Sequence, residues 1–143
     1  MLESIKETDL LYVEDNLSDY MLVKRVFRKN NLTSDMHRLS NGQSALDFLT
    51  RLAASKQNKL PKLILLDIKL PGVDGLEVLK SVRKMKAYRR VPIVMLSTSD
   101  QESDIVTSYA CGANGFVIKP ATYPELETSI LSTYRFWIET NCQ

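Results

Sequence analysis

The chain reads as an α/β protein built on a doubly wound parallel sheet, and three features of its sequence predict this. Short apolar runs alternate strictly with helix-period segments from one end to the other. One run, Leu63-Ile64-Leu65-Leu66, is apolar at every position and bounded by Pro and Gly, as a strand covered on both faces must be. Polar residues capable of chemistry (Glu14, Asp15, Asp67, Ser97 and Lys119) follow directly on the apolar runs, where parallel sheets carry their sites.

Taken in order, Leu10-Leu11-Tyr12-Val13 is the first strand, and Ser18 is placed to cap a helix whose Val23, Val26 and Phe27 recur at helical spacing. Lys24, Arg25, Arg28 and Lys29 form its wet face. A weakly alternating segment around Met36-His37-Arg38-Leu39 is the second strand. Asn41-Gly42 leads into a helix with Ala45, Leu46, Leu49, Leu52 and Ala53 on one side. The polar stretch Ser55 to Lys62 returns the chain to the strand that ends at Asp67. Asp74 reads as the cap of a third helix with Leu76, Leu79 and Val82 inward. Pro92 precedes the strand Ile93-Val94-Met95-Leu96; a fourth helix carries Ile105, Val106, Tyr109 and Ala110 and is broken by Gly112. Phe116-Val117-Ile118 is the fifth strand, and a last helix runs from about Pro124 to Thr140. Tyr134, Phe136 and Trp137 cannot all face inward on one helix, so some of them reach a partner. Right-handed crossovers then give a flavodoxin-like (βα)5 three-layer sandwich with a five-stranded sheet in the order 2-1-3-4-5.

With 143 residues, 44% hydrophobic and 25% charged, the sequence suits one domain over 1–143 with no output domain beyond it. The start, Met1 to Asp9, is polar, and the apolar runs are too short to span a bilayer, so a cytoplasmic protein with no membrane attachment is expected. Cys111 and Cys142 show no CxxC spacing and no disulfide framework. A net charge of +2 does not argue for nucleic acid, and the run Lys80, Arg83, Lys84, Lys86, Arg89 and Arg90 reads as a solvated face. His37, the single histidine, reads as structural or partly exposed.

In the predicted strand order, the ends of strands one and three flank the switch point, which brings Glu14 and Asp15 beside Asp67. Like charges so placed repel unless a cation intervenes, and oxygen ligands favour Mg2+, which completes its shell with water and phosphate oxygens. Ser97 and Lys119 fall at neighbouring strand ends and converge on Asp67. An aspartate accepting a phosphoryl group needs the added charge neutralised, and a metal ion, an ammonium and a hydroxyl supply that.

These residues resemble the receiver domains of two-component response regulators, including the stand-alone chemotaxis receiver, over nearly the whole chain. The resemblance rests on the acidic pair Glu14-Asp15, on Asp67 with Leu70-Pro71-Gly72 behind it, on Ser97, and on Lys119-Pro120. Val13-Glu14-Asp15-Asn16, the Ser55 to Lys62 loop and Phe136-Trp137 look similar to small receivers that partner bacterial phytochromes. The resemblance implies Asp67 as phosphoacceptor, supplied by a sensor histidine kinase, possibly a bacteriophytochrome. It implies Glu14, Asp15, Asp67 and the backbone carbonyl of Lys69 as Mg2+ ligands, and Ser97 and Lys119 on the phosphoryl oxygens. Ser97 and Phe116 would form the conformational switch, the Lys119-Pro120 bond would be cis, and a homodimer would form through the helix 4, strand 5, helix 5 face. Output would come through protein contact or onward phosphotransfer, not enzymatic turnover of a substrate. The competing reading is a receiver-fold scaffold that works without phosphate. A flavoprotein is disfavoured because acids after strand one repel an uncoordinated phosphate, and an Asp-nucleophile phosphatase because Lys69 stands where a second aspartate belongs.

Overall fold

The computed structural model describes residues 8–56 and 59–143. The polar residues Met1 to Glu7, and Gln57 and Asn58 of the Ser55 to Lys62 loop, lie outside the described residues. Strands and helices alternate as β1 (Leu10–Val13), α1 (Leu17–Lys29), β2 (Met36–Leu39), α2 (Gly42–Ala54), β3 (Leu63–Leu66), α3 (Gly75–Arg83), β4 (Ile93–Ser97), α4 (Glu102–Ala110), β5 (Gly115–Ile118) and α5 (Tyr123–Tyr134). A single 3-10 turn, Lys86–Tyr88, precedes β4, and a π-helical segment, Arg135–Thr140, continues α5.

All five strands are parallel, in the order β2-β1-β3-β4-β5. This is the flavodoxin-like arrangement that the sequence predicts. Because both faces are covered by helices, β1, β3 and β4 are buried at every position, and period two decides which helix layer each side chain meets. Leu11, Val13, Ile64, Leu66, Ile93 and Met95 join one core with α2 and α3. Leu10, Tyr12, Leu63, Leu65, Val94 and Leu96 join the other with α1 and α5. The register sets Val13, Leu66, Met95 and Phe116 in one row, so the residues that follow them emerge along a single edge.

Except at α4, helix starts are fixed by side-chain caps. Asn41 accepts from the Ser44 N–H (2.8 Å), and Asp74 accepts from the Glu77 N–H (3.0 Å), which is the capping role read from its sequence. The cap of α1 is Asn16, not Ser18: its side chain accepts from the Asp19 N–H (3.2 Å) and starts the helix at Leu17. Asn caps as well as Ser does, and the earlier start puts Asp19 at the third helical position. In α4 the expected inward stripe is turned out. Val106 is 58% and Tyr109 50% exposed, and the buried position is Ser108, whose hydroxyl donates to the Asp104 carbonyl (2.7 Å). This helix packs chiefly on α3 and β5, so its apolar residues exceed what the neighbours can cover. Tyr134 is buried against Phe27 while Phe136 is exposed, as the crowding of aromatics on α5 requires. His37 is exposed and stacks on Phe48 at 5.0 Å between ring centroids.

Arg83 departs from the solvated face to which its sequence neighbours belong. Its guanidinium donates to the carbonyls of Gly112 (2.8 Å), Tyr88 (2.6 Å) and Val91 (2.9 Å) and to Asn114 Oδ1 (2.7 Å). Asn114 Oδ1 also accepts from the Ile93 N–H (2.8 Å), so one planar fork ties the end of α3 to the entries of β4 and β5. Gly112, at φ +105°, closes α4 in the left-handed region, and a Cβ there would press on the Arg83 stem. Arg83→Ala, which leaves several carbonyls unpaired, is expected to lower unfolding free energy by about 3 kcal/mol in urea titrations, and Arg83→Lys to recover less than half of it.

Candidate functional site

The ladder runs one residue past the strand ends and pins two carboxylates. The Asp67 N–H donates to the Val13 carbonyl (3.1 Å) and the Glu14 N–H to the Leu39 carbonyl (3.0 Å), fixing both residues at the carboxyl edge of the sheet. Lys119 is held from the other side, its N–H donating to the Ser97 carbonyl (2.7 Å). Gly75 lets the start of α3 lie against Asp67, because a Cβ there would collide with the Asp67 carbonyl oxygen. Its own N–H donates to the Ile68 carbonyl (2.8 Å), closing the loop behind the carboxylate.

At the centre is the Lys119 ammonium. It donates to Glu14 Oε1 in a very short contact, to Asp19 Oδ2 at 2.9 Å and to Asp67 Oδ2 at 3.1 Å. Glu14 is 0% and Asp67 6% exposed. Three carboxylates thus share one ammonium where water is largely excluded. Burial, and then hydrogen bonding to Asp67, push the Glu14 carboxyl up to about 8, against the opposing pull of Lys119. Burial works against the Lys119 ammonium, but its hydrogen bonds to Glu14 and Asp19 and the charges of Asp67 and Glu14 outweigh it and raise its pKa. Beneath them the Tyr12 hydroxyl donates to Glu14 Oε1 (3.3 Å), and burial, followed by the Glu14 charge, raises the phenol pKa.

Among the described residues no three Asp, Glu, His or Cys side chains form a ready metal cage. The donor set nevertheless fits a hard divalent cation. Glu14 Oε2 is buried with no hydrogen-bond partner, the available ligands are carboxylate oxygens, and the charge in excess of Lys119 is negative.

The structure joins Glu14, Asp67 and Lys119 as expected and places the remaining residues around them. Asp15 is exposed at the mouth. Arg38 holds the backbone of the acidic pair, Nε donating to the Glu14 carbonyl (3.0 Å) and Nη2 to the Asp15 carbonyl (2.9 Å), with its guanidinium 5.5 Å from the Tyr20 ring centroid. Lys69 is exposed and its N–H donates to Asp67 Oδ1 (3.3 Å). Ser97 is fully buried on β4, its hydroxyl accepting from the Ser99 N–H (3.2 Å) rather than reaching Asp67. Phe116 is half-buried, packed against the α2 and α3 side of the core. The expected cis Lys119-Pro120 bond is not found: no described peptide bond is cis, and trans is the isomer that an X-Pro bond intrinsically prefers.

Sequence reasoning missed Asp19, Arg38 and Tyr12. An acid in the first turn of a helix reads as a partner for the helix dipole, and an arginine in an edge strand reads as solvated. Only the alternation of β1, which sends Tyr12 and Glu14 to the same face, was open to inspection.

A parallel sheet of this order, with an acidic pair, an aspartate and a lysine at its carboxyl edge, places the chain in the class of α/β receiver-type domains. The response regulator receiver domain family matches residues 10–131, and the chain belongs to that family. The probable methanogenesis regulatory protein FilR2 of Methanothrix harundinacea is 34% identical over 141 residues, covering 99% of this chain and 90% of that protein. Response regulator Rcp1 of Synechocystis is 33% identical over 131 residues, covering 92% and 89%. Among solved structures, the phosphorylated cyanobacterial phytochrome response regulator RcpA superposes with a TM-score of 0.86 at 30% identity, over 95% of this chain and 97% of that one. The Mn2+-bound form of Rcp1 gives 0.82 at 32%, over 93% and 96%.

The excess negative charge costs stability. Neutralising one carboxylate by Asp67→Asn is expected to raise unfolding free energy by about 1 kcal/mol without divalent cation, and by less at saturating Mg2+, in parallel urea titrations.

Proposed function

We propose that the protein is a response regulator that takes a phosphoryl group from a phosphohistidine of a sensor kinase onto Asp67. The observation that carries this reading is the Lys119 ammonium bridging Asp67 and Glu14 at the carboxyl edge of the sheet. An Asp67 oxygen attacks phosphorus as the phosphorus–nitrogen bond to histidine breaks, and the imidazole leaves with the bonding pair. Lys119, drawn from Glu14, donates to the phosphoryl oxygens, and Ser97, one strand away, supplies a hydroxyl once it turns from the Ser99 amide. Glu14, Asp15, Asp67 and the Lys69 carbonyl would hold Mg2+, which when bound supplies positive charge to the transferring group. Movement of Ser97 and Phe116 toward the site would then alter the α4–β5–α5 face.

The names of the relatives support a phytochrome-type kinase as the phosphodonor, since RcpA is described as a phytochrome response regulator. A cytoplasmic location fits this partner, and no helix among the described residues is long and apolar enough to cross a membrane. Val106 and Tyr109 of α4, Ile118 of β5 and Phe136 just past α5, all exposed, support the α4–β5–α5 face as the surface of a homodimer.

Incubation with acetyl phosphate and Mg2+ is expected to add one phosphate by intact mass, with no gain in Asp67→Asn or in chelator. Failure to label by this route and by phosphorylated kinase domains supports the phosphate-independent scaffold instead. Light scattering is expected to show a dimer that Tyr109→Glu converts to monomer; monomer throughout, with or without phosphate, contradicts the assigned face.

A further inference from the structure

Asp19 has no place in the chemistry described so far, yet it holds one of the three bonds of the central ammonium, at 2.9 Å. Its side chain is 32% exposed, against 1% for Glu14 and 8% for Asp67, so it stands at the rim while the other two are inside. Lys119 is bonded to one oxygen each of Glu14 and Asp67, the two buried carboxylates that the proposed phosphoacceptor site needs to hold its cation. An ammonium and a divalent cation cannot both hold these carboxylates at close range without strong repulsion. Lys119 must therefore give way, and it stays stable in a largely dry site only where a carboxylate still receives it. Asp19 is that carboxylate. A cavity of ≈ 50 Å³, lined in part by Tyr12, Asp19, Leu22, Val23 and Lys119, gives the lysine stem room to shift on this side.

The position of Asp19 is built rather than incidental. Asn16 receives its N–H and so fixes the phase of the first turn of α1, which aims the side chain at Lys119. We propose that Asp19 is a positioning residue: it retains Lys119 when a divalent cation engages Glu14 and Asp67, and so lowers the cost of loading the site. The inference rests on the phosphoacceptor reading above. A merely structural role, as an acid favouring the N-terminus of α1, would act on helix stability and leave cation affinity alone.

The two roles separate in a double-mutant cycle on Mg2+ affinity, measured by titration calorimetry on the unphosphorylated protein. Asp19→Ala is expected to weaken Mg2+ binding about tenfold, the loss of one charge-assisted hydrogen bond at a partly exposed position. Asp19→Asn, which keeps an acceptor oxygen, is expected to lose less. In a Lys119→Ala background, where there is no ammonium to seat, Asp19→Ala is expected to change affinity by less than about twofold. An equal loss in both backgrounds overturns the proposal, because Asp19 then acts on the cation directly. Unchanged affinity in Asp19→Ala, with or without a shift in melting temperature, overturns it too while leaving the phosphoacceptor reading intact. A wild-type protein that binds no Mg2+ overturns both.

Discussion

Two carboxylates buried side by side at the edge of a parallel sheet require a cation, and the structure is arranged around that requirement. Glu14 and Asp67 are carried there by backbone pairing that their own side chains do not favour. Lys119 meets them from β5. Each device nearby keeps this unfavourable cluster in place: the Arg38 guanidinium on the two loop carbonyls, the missing Cβ at Gly75, the Asn16 cap that starts α1. The core supplies the stability that the cluster consumes, with three strands buried at every position between two helix layers.

The same arrangement makes the site responsive. A closed cage would hold a metal ion permanently, whereas carboxylates neutralised by a lysine can exchange one cation for another. Lys119 links the site backward to β4 through its bond to the Ser97 carbonyl, and β5 carries both the half-buried Phe116 and the exposed Ile118. In the proposed mechanism, a change in what Lys119 holds would be passed along this one short strand to the exposed residues of α4 and β5. Coupling of this kind shifts a population between two arrangements of the same packed elements.

The placement of Asp67 and Lys119 was legible in the sequence because each follows an apolar run, and a parallel sheet collects such ends at one edge; Ser97 ends its strand at the same edge, but its hydroxyl turns to the Ser99 amide and not to Asp67. Strand order and the inward residues of α1 were legible for the same reason of period and length. Asp19 was not, since an acid in the first turn of a helix reads as a partner for the helix dipole, and only the folded position of Lys119 shows that it is held. Arg83 stands in a run of basic residues, and only its folded neighbours distinguish a staple from a solvated charge. The α4 stripe reads as core by composition; whether enough partner surface exists to cover it is a property of the assembled fold.

Phosphoryl transfer to Asp67 requires the ammonium between Glu14 and Asp67 to give way to a metal ion and a phosphoryl group. A crystal structure of the protein with Mg2+ and beryllofluoride, a stable mimic of the phosphoryl group on a carboxylate, tests it directly. The mimic is expected on Asp67, with Lys119 moved off Glu14 onto fluoride. Lys119 still bonded to both Glu14 and Asp67, with no mimic on Asp67, would contradict it.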